Sequence, residues 1–249
     1  MKKSRVQLFF PFILVFMLMH TSVSAKTNAA KTGRITIIIT PVFNSKPLKL
    51  SNQYYVNENG DTLYIDLFRF YMTNFSVTDA QSFKEYQCQD SNHLIDAEDT
   101  ATEKFSLTVP AGEYGELSFI AGVDSIANTS GANSGDLDPV KGMYWAWNSG
   151  YIMAKLEGHS KVCKTLHQAF EFHIGGYMPP YNTARGVSLE LPHTITVKAG
   201  GNTIIRVKAN AAAWFSGLLD LSTTNDITIP GKEAAMMADN YAQMFTVAE

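Results

Sequence analysis

The residues best equipped for chemistry fall in one stretch, Gly122 to Gly158, GVDSIANTSGANSGDLDPVKGMYWAWNSGYIMAKLEG. At its front, Asp124, Asn128, Asp136 and Asp138 place hard oxygens in a glycine-rich loop. Calcium takes about six to eight such oxygens. The spacing matches no EF-hand loop, and Asp and Asn in turns also bond their own backbone. At its back, Trp145 and Trp147 sit two apart among Met143, Tyr144 and Tyr151. In an extended run their indoles point to one face, as core or as a stacking platform for a ligand. His173, in the string FHIGG, is the third candidate. A strand there puts His167, Ala169, Glu171 and His173 on one face and Phe170, Phe172 and Ile174 on the other. At ~3.3 Å per residue, His167 and His173 are about 20 Å apart and cannot share a metal. Glu171 is near enough to orient His173. His93, His159 and His193 read as ordinary surface histidines.

Cys88 and Cys163 are the only cysteines. In an exported chain such a pair predicts one disulfide, stabilising by roughly 4–5 kcal/mol in the chain-entropy model. The alternative is two soft metal ligands. No GxSxG, HExxH or P-loop string occurs. Cys163 and His167 stand four apart without a third group to orient them. The chain therefore reads as a binding protein and not as an enzyme.

Export is expected from the N-terminus. Lys2, Lys3 and Arg5 precede an apolar run, Leu8 to Met19, and Val23-Ser24-Ala25 is a small-residue cleavage site. The run is short for a membrane span, which needs roughly 20 residues. Residues 1–25 are thus a signal peptide and 26–249 a single mature domain, periplasmic or secreted, with no later span. The whole chain has formal charge −3. Losing three basic residues leaves −6, which argues against nucleic acid or an anionic membrane as partner.

The elements that must position these residues read as strands. Arg34–Thr40 is a β-branched run closed by Pro41. Leu48–Asn57 and Thr62–Phe68 flank an Asn-Gly turn at 59–60. In the second, Leu63, Ile65 and Leu67 alternate with Tyr64, Asp66 and Phe68. Phe70–Val77, Leu94–Ala97, Glu103–Val109, Glu116–Val123, Gly150–Leu156, Leu166–Ile174 and Gly186–Leu191 follow. His193–Lys198 and Asn202–Ala209 are joined by Gly200-Gly201, a hairpin signal. Two short C-terminal helices are expected, at Ala211–Leu219 and Lys232–Phe245. The pattern predicts an all-β fold, an antiparallel β-sandwich.

The string GVDS–N–SG–G–LDP–GMYWAW–SGYI–KLEG resembles the MbnP-like family of exported β-sandwich proteins, one of which is linked to methanobactin and copper handling. FRFYMTNF at Phe68–Phe75, LID at Leu94–Asp96, VPAGEYGELSFIAGVDS at Val109–Ser125 and FHIGG at Phe172–Gly176 agree. The likeness runs from about Arg34 to the C-terminus. It implies a metal-handling protein, copper first, with Trp145, Trp147 and His173 as candidate ligands. It also implies a diheme MbnH-like partner that oxidises a client tryptophan to kynurenine, whose aromatic amine then joins imidazole nitrogens at copper(I). The copper-linked relatives carry a four-cysteine motif, whereas here HIGG is followed by Tyr177-Met178-Pro179-Pro180. They also carry Asn-His where this chain has Asn128-Thr129. The alternative is a structural or ligand-binding β-sandwich module without metal.

Overall fold

Ile35, Ile37 and Ile39 are essentially inaccessible to solvent, so the β-branched run that opens β1 (Thr32–Phe43) is a buried strand as expected. The computed structural model describes residues 31–248 apart from 90, 91, 132, 149 and 218. The expected signal peptide and its cleavage after Ala25 lie outside the described residues. After β1 come β2 (Lys46–Pro47), β3 (Tyr55–Val56) and a long β4 (Thr62–Asp79). Then follow β5 (Glu85–Gln87), β6 (Asn92–Asp96), β7 (Lys104–Pro110) and β8 (Gly112–Ala121). The central stretch holds α1 (Ser125–Thr129), β9 (Tyr144–Trp145) and β10 (Gly150–Ser160). The chain closes with β11 (Ala169–Gly175), β12 (Arg185–Val197), β13 (Asn202–Asn210), β14 (Asp226–Ile227), α2 (Lys232–Tyr241) and β15 (Phe245–Val247).

Two sheets result. One runs β15-β13-β1-β2, with β7 also on β1. The other runs β12-β8-β4-β10-β11-β14, with β3, β5 and β6 on β4 and β9 on β10. The pairings are antiparallel except β1–β13 and β11–β14. One apolar core joins the sheets. Phe245 of the first sheet meets Phe70 and Phe119 of the second edge-to-face, at 5.6 and 4.9 Å between ring centres. The fold is the β-sandwich expected. Near the C-terminus lie a 3-10 turn, Ala211–Phe215, which buries Trp214 and Phe215, and α2, which buries Ala234, Met237, Ala238 and Tyr241 and runs on into a 3-10 turn at Ala242–Met244.

Several elements differ from the sequence reading. Thr62–Phe68 and Phe70–Val77 are one strand, because β4 is paired throughout: β10 covers Leu63–Phe70 and β8 covers Met72–Asp79. The inward set changes from Leu63 and Ile65 to Phe68 and Phe70. A bulge opposite Glu157 and Gly158 inserts one extra β4 residue and reverses the alternation. Gly200-Gly201 does not close a hairpin within a sheet. β12 pairs β8 and β13 pairs β1, so this turn hands the chain from one sheet to the other. Leu166–Gln168 is a 3-10 turn, with His167 at φ 60°, and β11 begins only at Ala169.

The disulfide is also corrected: Cys88 and Cys163 are separate, buried thiols. Cys88 N–H donates to Phe75 O, and Cys163 follows Ser160, which pairs with Leu63. Phe75 and Leu63 lie toward opposite ends of β4, roughly 40 Å apart at ~3.3 Å per residue. A disulfide needs Cα atoms within about 7 Å. The same separation excludes a shared metal. Burial pushes the Cys88 thiol up to about 12, and raises that of Cys163 as well. Native protein should therefore resist alkylation, and reductant should leave its Tm unchanged. Thiol counting before and after denaturation checks this; a reductant-sensitive Tm would refute it.

Candidate functional site

The acidic loop folds around its own backbone. Asp124 caps α1, accepting from Ala127 N at 2.8 Å, and also accepts from Asn74 Nδ2 at 2.8 Å. Asn128 is 2% exposed; its Nδ2 donates to Val123 O and Asp124 O, and its Oδ1 accepts from Tyr151 N. Asp136 takes Lys141 Nζ at 2.7 Å and Leu94 N at 3.2 Å. Asp138 caps the turn Pro139–Lys141 through Val140 N. The calcium loop read from Asp124, Asn128, Asp136 and Asp138 is thus a set of caps and bridges. Their oxygens accept from separate donors, backbone amides together with Asn74 Nδ2 and Lys141 Nζ, much as Asx residues stabilise irregular chain.

These bonds set up the tryptophans. Tyr151 Oη donates to Leu137 O at 2.6 Å and Tyr71 Oη to Asp136 O at 3.0 Å, pinning the loop to β10 and β4. Lys155 Nζ donates to Gly142 O at 2.8 Å, where the chain turns in the left-handed region toward β9. Tyr144 and Trp145 pair with Tyr151 and Gly150, and then the chain turns, with Asn148 N donating to Trp145 O. Trp147 is therefore in a turn and not in an extended run with Trp145. The rings still meet, 5.3 Å apart and tilted by 42°. Their exposure differs sharply: Trp145 is 7% exposed and Trp147 64%.

His173 is beside them. The six-membered ring of Trp145 lies against the backbone of Gly175; a Cβ there would sit 2.5 Å from Cζ3. Gly175 and His173 share a face of β11, about 7 Å apart along the strand. Trp145 and His173 are thus neighbours on the outer face of the sheet, while Phe170, Phe172 and Ile174 fill the inner face as expected. The residue that orients His173 is Glu157, with Nε2 and Oε1 2.7 Å apart, and not Glu171. Lys155 is the direct cross-strand partner of His173, and Arg69 pairs beside Lys155. The His173 hydrogen bond, together with the positive charges of His173, Lys155 and Arg69, holds the Glu157 carboxyl below its usual range against the cost of burial. Burial lowers Lys155. Beyond the end of β11, a hollow of about 240 Å³ is lined by Asn148, Gly176, Tyr177, Met178, Tyr181 and Pro230 among others.

As encoded, this site does not fit a resident copper ion. It offers one imidazole, whose Nε2 is engaged by Glu157, while Trp145 lays ring carbons against Gly175. Among the described residues no three His, Cys, Asp or Glu side chains gather as a metal-holding group. Copper(I) asks for more nitrogen or sulfur than this. Sequence reasoning missed Glu157, whose approach to His173 is set by strand register and not by spacing. His159, read as ordinary surface, is held by Asp66 with Nδ1 2.5 Å from Oδ2.

No helix among the described residues is long and apolar enough to cross a membrane. Compared with known proteins, the chain matches the family model described as MbnP over residues 32–236. Among solved structures it resembles MbnP from Methylosinus trichosporium, with TM-score 0.58 and 15% identity, over 80% of this chain and 83% of that one. At that identity the likeness shows the fold. No curated protein matches the chain.

Proposed function

On the premise that this chain belongs to the MbnP family, we propose that it is an exported metal-handling protein with its reactive centre at Trp145, Trp147 and His173. The observation that carries this is the placing of an exposed indole against a buried one, with an imidazole about one side-chain spacing away on the same sheet face. The encoded donors are too few for copper. The site becomes a copper site only when a diheme partner of the MbnH type oxidises one indole to kynurenine, adding an aromatic amine near His173. Trp147 offers such a partner the accessible ring, and Trp145 couples it to the sheet. Within this reading Glu157 orients the imidazole, a role that carboxylates commonly take beside a ligating histidine. The protein binds and presents; it carries out no reaction of its own.

A second reading has one specific observation in its favour. The exposed ring of Trp147, whose chain neighbour Asn148 lines the 240 Å³ hollow, suits a ligand-stacking module without metal.

The test uses mature protein produced together with its diheme partner. Peptide mass spectrometry should find kynurenine in place of Trp145 or Trp147. His173→Ala should then remove copper(I) binding while leaving the Tm of the apo protein within a few degrees. Two unmodified tryptophans, or unchanged copper stoichiometry and affinity in His173→Ala, would reject the copper reading and leave the stacking module.

A further inference from the structure

A second site lies at the far end of β10 from the tryptophans. There a cavity of about 450 Å³ has Tyr54, Tyr64, His159, Lys161 and Gln168 in its walls. Tyr54 is 62% exposed, yet its ring is held against Tyr64, with ring centres 3.9 Å apart. His159 is fixed by Asp66 through Nδ1, and Ser51 Oγ donates to the other Asp66 oxygen at 2.6 Å. Both carboxylate oxygens are therefore engaged, and the imidazole edge bearing Nε2 is the one Asp66 does not use. Gln168 of the lining, its chain neighbour His167, and Ser51, which bonds Asp66, hold left-handed backbone, at φ 59°, 60° and 51°. Non-glycine residues keep such angles only where their surroundings impose them.

We propose that this groove binds a neutral pyranose sugar, with Tyr54 stacking on the sugar ring and His159, Lys161 and Gln168 hydrogen-bonding its hydroxyls. An aromatic face suits the C–H face of a pyranose, and here that face is already oriented by Tyr64, which lowers the ordering cost of binding. Amide, imidazole and ammonium groups supply both donors and acceptors for hydroxyls. Apart from His159 and Lys161, the side chains lining the groove are uncharged. Its volume falls within the roughly 300–1,000 Å³ of small-molecule sites. Glycoside hydrolysis generally needs two carboxyl groups across the scissile bond. Asp66 is already engaged twice, so the groove is built to hold a sugar and not to cleave one.

The test titrates mature protein with cellotriose, maltotriose and triacetylchitotriose, using calorimetry and saturation-transfer NMR, with glycerol as an acyclic control. At least one trisaccharide should bind at millimolar concentration or below, and glycerol should not. Tyr54→Ala should weaken that binding about tenfold, as loss of a central aromatic contact does, and Gln168→Ala should weaken it too. Phe83→Ala, which removes an exposed aromatic ring elsewhere, should not. Circular dichroism of each variant separates lost binding from lost fold. Failure of all three sugars to bind, or binding unchanged in folded Tyr54→Ala, overturns the proposal. Neither result bears on the tryptophan site, whose readouts are kynurenine and copper.

Discussion

Gly158→Ala should destabilise the protein by about 3–5 kcal/mol, lowering its Tm by roughly 6–20 °C for a domain of this size. A Cβ at Gly158 would sit 2.0 Å from Tyr64 O and 2.6 Å from Phe170 Cζ. The first contact is backbone of β4, so no rotamer change relieves it. The second is a ring packed at 0% exposure between the sheets. Gly158 also sits where the β4–β10 register shifts, so separating the strands would undo the bulge that redirects Phe68 and Phe70 inward. Overpacking of this kind costs more where the neighbours cannot yield. Gly186 is the control: a Cβ there meets nothing within 4 Å, and Gly186→Ala should change stability by less than about 0.5 kcal/mol. Thermal unfolding of the two variants decides the matter, and equal Tm values would show that the β4–β10 pair is looser than its geometry.

That bulge marks where the fold stopped being legible in the sequence. Alternation told which face of a strand is buried as long as pairing stayed regular: Ile35, Ile37 and Ile39, or Phe170, Phe172 and Ile174. It failed at Leu67, because one inserted residue reverses every later side chain. The Gly200-Gly201 turn was legible as a turn but not as a crossing between sheets. Turn residues report local angles, and which sheet the next strand joins depends on partners far away in the chain.

The candidate site was legible in the same partial way. The tryptophans and His173 were found by type and spacing; the structure sets the two indoles against each other and lays Trp145 on Gly175, two residues along β11 from His173. Glu157 and Asp66 were not found, although each holds a histidine, because the contacts His173–Glu157 and His159–Asp66 are products of register across strands. The cysteines failed for a related reason. Counting them in an exported chain supports a bridge, but β4 keeps the two thiols near its opposite ends. The Asp and Asn residues of the loop were chosen for the right property, oxygen donors in a glycine-rich segment. What spacing could not show is that their partners are mostly backbone groups, as the buried amide of Asn128 illustrates best.

Asn128→Ala should cost about 3 kcal/mol, and should also loosen the tryptophan turn. The side chain is buried and bridges three backbone groups: Val123 O and Asp124 O through Nδ2, and Tyr151 N through Oδ1. Truncation leaves these without their partner, and a buried unsatisfied polar group costs about 1–3 kcal/mol. Tyr151 N lies at the start of β10, next to the Gly150–Trp145 pair. Release of that bond frees the edge on which β9 is built, so Trp145 should gain solvent access and its fluorescence should shift to the red. Asn128→Asp separates this bridging role from the calcium expectation. A carboxylate keeps the acceptor for Tyr151 N but turns an oxygen toward two carbonyl oxygens, so it should destabilise at least as much as alanine. If the loop were a cation site, the added charge would be tolerated, calcium would raise the Tm of Asn128→Asp, and a chelator would lower that of the wild type. Thermal melts of wild type, Asn128→Ala and Asn128→Asp, each with calcium and with chelator, should show two destabilised variants and no response to either addition.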